Sequence, residues 1–361
     1  MFYLLDGSTR EPVAIFEDYQ KLEWKRSLYR PGTFNMTINT NQYNARYLQK
    51  RTVFIPDNDE PVFIVEQIEA KENENGKEDE TMTVTGRSIG GMFEERIALP
   101  PTDDSRDRVD NVPAEHAIKH YVRQNAESNA APVRRVPGLV IQAGQGRGEA
   151  ITYNARFQTV SEVLEDIGNT TGSGWEILLN DNNEYAFDTI HGLDRSEDVF
   201  FDVEFDTALS QSWLTSDMDQ KTFAYVAGQG EGVDRQMVEY YLADDEPAGF
   251  DRRELFVDAR DTDSDLDQRG RTKLKETEEE DIFETEVDPF GSFQYRRDWD
   301  LGDIVTMRNR RWGIQKAVRI VAVKTVIQDD KEIITVEVGR PWPTIKSRIE
   351  TLTEDEAGKR V

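Results

Sequence analysis

Cysteine is absent from the 361 residues, which excludes disulfides, thiolate metal sites and cysteine nucleophiles. Histidine is nearly absent, with three in the chain. No apolar run approaches the roughly 18 residues of a membrane-crossing helix, so no stable membrane insertion is expected. The first ten residues, MFYLLDGSTR, lack a basic stretch followed by an apolar one, so they carry no secretory pattern. A soluble chain made in a cytoplasm is the expectation. Positive charge is also short: 44 Lys and Arg stand against 71 Asp and Glu, a formal net charge of -27. That argues against a protein whose main work is gripping phosphates, which rests on basic surface and counterion release.

What is present is enough for packed cores. Hydrophobic residues make up 37% and aromatics 10%, and the length suits two or three domains. Only 14 of the basic residues are lysine and 30 are arginine. Scarce lysine with many carboxylates fits a saline, halophilic setting, where repulsion is screened; it fits an acidic mesophilic protein equally well.

Short runs with alternating aromatic and β-branched residues dominate the first hundred positions: VAIFE (13–17), KLEWKRSLY (21–29), TFNMTI (33–38), TVFIPD, PVFIVEQIEA and TMTVTG (81–86). Pro31-Gly32 marks a turn, KENENGKEDE (71–80) a hairpin loop, and SIGGMFEERI a short helix from Ser88 stopped by Pro100-Pro101. Residues 102–112 read as a charged linker. PAEHAIKHYVRQNAE then predicts a helix, with Glu115 in its first turn and Ala117, Ile118, Tyr121 and Val122 on one side. FQTVSEVLEDIGNT (157–170) predicts a second helix, and WEILLN and EYAFDTI a hairpin around Asp181-Asn182-Asn183. Strands return from about 195 (VFFDVEF, TFAYVAGQG, RQMVEYYLA, ELFVDAR). RGRTKLKETEEE follows as a helix or an extended surface segment. GDIVTMRN, IQKAVRIVAVKTVIQ and KEIITVEVGR close the β pattern, the last two joined at Asp329-Asp330. The fold class is therefore mainly β with an α/β insert. Its divisions are 1–102 (β), 103–194 (α/β insert), 195–344 (β) and a flexible or helical C-terminal tail, 345–361.

Reactive chemistry is sparse. His116 and His120 stand four apart on a helix, but Ala117 occupies the place where a zinc protease has its glutamate, and His191 is distant. In DTDSDLD (261–267), Leu266 and Thr272 stand where an EF-hand needs glycine and a bidentate glutamate. Asp261, Asp263 and Asp265 remain as candidate metal ligands of a looser calcium site, against the reading of a solvated acidic loop. GQGEG (228–232) and GQGRGE (144–149) lack the Lys-Ser/Thr of a phosphate loop and read as hairpin turns. With 71 acids some glycosidase-like pair always looks suggestive, and no triad order or nucleophile elbow occurs. No catalytic residue and no cofactor-binding residue is assigned, and no cofactor is expected.

Six segments in order carry a resemblance: YRPGTFNMTI (29–38), VTGRSIGGMFEERIALPP (84–101), GWEILLNDNNEYAFDTIHGLDRS (174–196), KTFAYVAGQGEGVDR (221–235), RRELFVDARD (252–261) and DWDLGDIVTM (298–307). Over roughly residues 5–342 the chain resembles the tail-hub (baseplate hub, tail-tip) proteins of long-tailed phages of the ReqiPepy-type siphovirus group. The resemblance implies a virion structural protein rather than an enzyme, with two tube-like antiparallel β-barrel domains flanking the α/β insert. It implies a homotrimer forming a pseudo-six-fold ring that continues the tail tube. Its partners would be the distal tail protein, the tape measure protein and tail-tip or receptor-binding proteins, with genomic DNA only in passage through the channel. Gly32, Gly86 and Gly302 are expected at turns, and Trp24, Trp175 and Trp299 as core or interface anchors. The competing readings are a tail-tip cell-wall hydrolase, which needs a carboxylate pair or metal site, and a host-receptor-binding module, which needs exposed aromatic loops.

Overall fold

Lys-Leu-Glu-Trp-Lys-Arg-Ser at 21–27 alternates so that Leu22, Trp24 and Arg26 share one face of a strand. In the computed structural model that strand lies at the centre of the longest sheet, and all three residues are buried. The structure describes residues 2–339 except 7–8, 18, 57–59, 73–77, 261–265, 278–279 and 330. The expected C-terminal tail, part of the 71–80 loop and Asp330 therefore lie outside the described residues.

Seven strands form the first part: β1 (Phe2–Leu5), β2 (Pro12–Phe16), β3 (Lys21–Ser27), β4 (Thr33–Asn39), β5 (Val53–Ile55), β6 (Phe63–Glu72) and β7 (Glu78–Ser88). They pair in the order β2-β1-β5-β6-β7-β4-β3, all antiparallel. Their buried face is largely aromatic: Phe2 stacks on Phe16 at 4.7 Å and Phe34 meets Phe54 edge-on at 4.4 Å. The short helix expected from Ser88 is a 3-10 segment, Ile89–Glu95.

Gly86 is not in a turn. It lies inside β7, opposite a bulge between Val65 and Gln67 of β6, and a Cβ there would sit 2.0 Å from the Ile64 carbonyl oxygen and 2.7 Å from the Phe34 ring. Glycine is needed for close approach rather than for a left-handed backbone.

The middle part comprises β8 (Asp107–Pro113), α1 (Ala114–Ala126), β9 (Leu139–Ile141), β10 (Ala150–Ala155), α2 (Val160–Thr171), β11 (Gly174–Leu179) and β12 (Tyr185–Ile190). Ala117, Ile118, Tyr121 and Val122 of α1 and Val160, Val163, Leu164 and Ile167 of α2 are all fully buried, as their spacing predicts. Thr159 and Glu162 close a capping box at the start of α2, and Gly172 ends it at φ 72°. The expected linker at 102–112 ends inside β8, because Val109 has a hydrophobic place beside Tyr153 of β10. GQGRGE is not a hairpin turn either: it joins β9, which pairs with β12, to β10, which pairs with β8.

The last part holds β13 (Phe200–Phe201), β14 (Ser210–Ser216), β15 (Phe223–Ala227), β16 (Met237–Tyr241), β17 (Glu254–Asp258), α3 (Leu266–Glu276), β18 (Glu280–Val287), β19 (Ile304–Asn309), β20 (Ile314–Gln328) and β21 (Lys331–Val338). GQGEG is the turn of the β15–β16 hairpin, as expected. The segment expected as helix or extended chain is helix α3, which lays Leu266 and Leu274 on Val226 and Val257 of the small β16-β15-β17 sheet.

The strands do not close into two barrels. Among the described residues the strands of the long sheet follow one open path, β14-β18-β21-β20-β3-β4-β7-β6-β5-β1-β2, with β13 and β19 branching from β20, and the other strands form the separate sheets β8-β10, β9-β12-β11 and β16-β15-β17. The reason is β3: it pairs with β4 on one side and with β20 on the other, from Ala322↔Ser27 to Gln328↔Lys21. Each half thus completes its sheet with the other half rather than with itself. The 15-residue β20 serves both β19 and β21 by shifting register between Ile320 and Ala322.

Gly86→Ala is expected to lower unfolding free energy by about 1–3 kcal/mol through overpacking. Gly144→Ala, with nothing within 4 Å of the added carbon, should change it by less than about 0.5 kcal/mol. Urea denaturation midpoints of the two variants make the comparison.

Candidate functional site: a buried junction and two open sheet ends

Arg26 is 3% exposed although it carries a full charge, and the three parts of the chain meet around it. Its Nη2 donates to Glu176 Oε2 of β11 at 2.7 Å, and its Nη1 to Asp300 Oδ1 at 2.7 Å and to the Tyr295 hydroxyl at 2.5 Å. Beside it Glu60, also buried, accepts from Trp24 Nε1 at 3.0 Å and from Arg296 Nη2 at 3.0 Å. On the same strand Lys25 reaches Glu337 of β21 at 2.7 Å. Burial works against the charge on Arg26, but the anionic neighbours led by Glu176 outweigh it and hold its pKa well above the ordinary value. For Glu60 burial wins: its pKa is raised despite Arg296 and Arg26, so its ionisation costs stability in the folded state.

A second anchor is the corner Asp300-Leu301-Gly302-Asp303. Asp303 accepts the Leu193 amide at 2.7 Å, Arg195 Nε at 2.9 Å and the Asp300 amide at 3.0 Å. Gly302, at φ 93°, takes the left-handed conformation expected of a turn glycine, and Arg319 Nη1 donates to its carbonyl at 2.6 Å. The corner ties the exit of β12 to β20.

The third anchor is inside the α/β part. Glu115, 1% exposed, accepts from Lys119 Nζ at 2.8 Å, from Arg147 Nη2 at 2.7 Å, and from the amides of Gln145 and Arg147 at 2.8 and 2.9 Å. Asp188 pairs with both cations. Burial opposes the Glu115 charge, but the donors headed by Arg147 hold its pKa far below the usual carboxylate range. The glycine-rich 144–149 segment is thereby a strap fixed by a buried carboxylate.

Trp24, Trp175 and Trp299 are buried anchors, each with its indole N–H donating: to Glu60, to the Tyr29 carbonyl at 3.2 Å and to the Phe293 carbonyl at 3.2 Å. The histidines do not converge. His116 is exposed, His120 Nε2 lies 2.7 Å from Asp107 Oδ1, and His191 lies between Ser173 and Thr189. Asp261, Asp263 and Asp265 lie outside the described residues. Among the described residues no three His, Asp or Glu side chains are grouped as metal ligands. The buried junction was missed in the sequence, although Arg26 falls in phase with Leu22 and Trp24 and so announces a buried charge.

The open path leaves two sheet ends. At β2, Val13 and Ile15 are exposed, Pro12 lacks an amide proton, and Asn44 Nδ2 donates to the Ile15 carbonyl at 3.0 Å. At β14 the run Thr207–Ser216 contains no charged residue, and it includes the exposed Leu209 and Trp213. Edge strands usually carry charge, proline or a cap against unwanted pairing; β2 has such devices and β14 has none of them on its own strand.

Arg26→Met is expected to lower stability by about 2–3 kcal/mol, because it leaves the half-buried Glu176, Asp300 and Tyr295 without their charged donor. Arg26→Lys should recover only part, since one ammonium cannot fork to Glu176 and Asp300 together. Denaturant unfolding of both variants measures this. Glu115→Gln should lower stability at neutral pH by about 1.5–3 kcal/mol. A carboxylate with a depressed folded pKa stabilises above its unfolded value and loses that contribution as pH falls below about 4.3. The wild type should therefore lose more stability than the variant between neutral pH and pH 2, measured by urea midpoints across that range.

Comparison with known proteins bears on the identity. Residues 2–340 match the family described as Siphovirus ReqiPepy6 Gp37-like protein. No curated protein matches significantly. Among solved structures, the tail protein from Neisseria meningitidis MC58 is similar at TM-score 0.57 and 13% identity, covering 94% of this chain and 96% of that one. The prophage MuSo2 43 kDa tail protein from Shewanella oneidensis is similar at TM-score 0.57 and 13% identity, covering 94% and 98%. Prophage tail protein gp18 from Listeria monocytogenes EGD-e is similar at TM-score 0.53 and 12% identity, covering 98% of both chains. These likenesses show a shared fold. With the family match spanning nearly all of the residues whose junction and sheet have just been described, the chain belongs to the Siphovirus ReqiPepy6 Gp37-like family.

Proposed function

We propose that this protein is the hub at the distal end of a siphovirus-like tail, a homotrimer whose ring continues the tail tube. The observation that carries the reading is the continuous sheet. The β parts at 1–102 and 195–344 are welded through β3 and β20, with the α/β insert at 103–194 clamped to the weld by Glu176 and Asp303. One copy is then a two-lobed segment with, among the described residues, an open sheet end on each lobe, and three copies supply six lobes around a hexameric tube. Heterologous contacts of this kind close into a ring when the rotation permits.

Each copy contributes a formal charge of -27. Any part of it facing the channel repels DNA phosphates, so the genome passes without adhering. The outer faces then hold the distal tail protein and the tail-tip or receptor-binding proteins, and the upper mouth meets the tape measure protein.

The mass of the purified chain, measured by light scattering at low and high salt, is expected to be that of three copies. Electron-microscopic class averages should show a hole wide enough for duplex DNA. A chain that stays monomeric and fails to join purified distal tail protein overturns the hub. Clearing of peptidoglycan by that monomer would favour the hydrolase reading, and direct attachment to host cells the receptor-binding one.

A further inference from the structure

The turn between β19 and β20 reads Arg308-Asn309-Arg310-Arg311-Trp312, a concentration of positive charge in a strongly acidic chain. Asn309 Oδ1 accepts the amides of Arg311 and Trp312 at 3.1 and 3.2 Å, and its Nδ2 donates to Gln211 Oε1 of β14 at 3.1 Å. The turn is thus held against the open sheet end. Between them lies a cleft of about 380 Å³, lined by Gln211, Asn309, Arg310, Arg311, Trp312 and Glu204 among others. Trp312 is 43% exposed and stands 6.2 Å from Trp213. Arg308 is consumed internally: it pairs with buried Asp202 at 2.5 Å and lies over the Phe200 and Phe205 rings. Arg311 reaches no closer than 3.8 Å to Glu204 and is 85% exposed. The result is an aromatic floor with an arginine rim, the composition enriched in protein interfaces.

A feature of opposite character projects from the β16–β17 connection, Ala243-Asp244-Asp245-Glu246-Pro247-Ala248-Gly249-Phe250-Asp251. Asp244 and Asp245 are exposed, and Phe250 is wholly exposed, at 101%. The loop is nonetheless built. Arg252 donates to Glu246 at 2.6 Å and to the Pro247 carbonyl at 3.3 Å, stacks over Phe223 at 3.6 Å, and also holds Glu254 at 2.7 Å. Thr222 Oγ1 donates to the Asp251 carbonyl at 2.6 Å. A phenyl ring held out in water on a braced loop, with carboxylates beside it, is a preorganised anchor.

We infer that the Phe250 loop of one copy docks in the cleft beside β14 of the next, Phe250 against Trp312 and Asp244 and Asp245 toward Arg310 and Arg311. Among the described residues no hydrogen bond, ion pair or ring contact joins the two features, and their opposite local charges fit each other, so the occupant we commit to is a second copy of this chain. Two molecules carrying -27 each repel at long range, and a contact must therefore be made where the sign is locally reversed. The contact is head-to-tail, so it deepens the ring proposed above and depends on self-assembly of this chain.

The test is the concentration dependence of self-association by analytical ultracentrifugation of the full chain. Phe250→Ala and the pair Arg310→Glu with Arg311→Glu are each expected to weaken association at least about 30-fold, as loss of a hot spot does. Adding Asp244→Arg and Asp245→Arg to the arginine variant restores complementarity and should recover most of that loss. That recovery cannot come from a variant that merely misfolds, and circular dichroism checks the fold of each. If all variants assemble like the wild type, this contact is wrong and the trimer stands. If the wild type itself shows no self-association at any concentration, both the contact and the self-closing ring fall.

Discussion

The three parts of the chain meet at a buried guanidinium. Arg26 sits on β3 at the one place where the first and last parts of the chain share a strand pair, with Glu176 of the insert, Asp300 and Tyr295 closing on it. An arginine there cannot be discharged, so every part that carries one of its acceptors is obliged to come to it. An apolar residue would pack as well but would ask nothing of Glu176 or Asp300. We see in this the reason that strands from the first and last parts of the chain share one long sheet.

The insert is tied to that seam by side-chain hydrogen bonds. Its own rigidity comes from Glu115, which locks the glycine-rich strap through Arg147. Its attachment comes from Glu176 on one side and from the Asp300–Asp303 corner on the other, where Asp303 captures the chain leaving β12. Trp175 adds a third hold by donating to the Tyr29 carbonyl just beyond β3. For a protein proposed to bear load in a tail, such bracing resists shear between the lobes.

The sheet ends are treated differently, and this asymmetry is where the structure touches assembly. The β2 end is blunted by Pro12 and by the Asn44 side chain, whereas the β14 end is an uncharged strand with tryptophan beside it. Leaving such an edge open is hazardous for a free monomer and useful for one that is normally covered. The acidic surface elsewhere keeps copies apart except where an arginine-rich rim invites approach.

Local pattern decided much of this protein. The alternation in β3, β4 and β6, the four-residue spacing in α1 and α2, and the turn at Asp181–Asn183 depend on neighbours in sequence, and they stand where the sequence places them. So does the membership in the Siphovirus ReqiPepy6 Gp37-like family, to which six ordered segments pointed. What sequence left open, or read wrongly, all depended on partners far along the chain. β8 looked like a linker until Tyr153 supplied a neighbour for Val109; α3 was ambiguous until the small sheet received Leu266 and Leu274; Gly86 looked like a turn although the Phe34 ring required it. The pairing of β3 with β20, nearly 300 residues apart, decided that the halves form one open sheet and not two barrels. Strand pairing is satisfied by backbone groups that every residue carries, so its partner is chosen by packing and buried charge, which only the tertiary structure brings together.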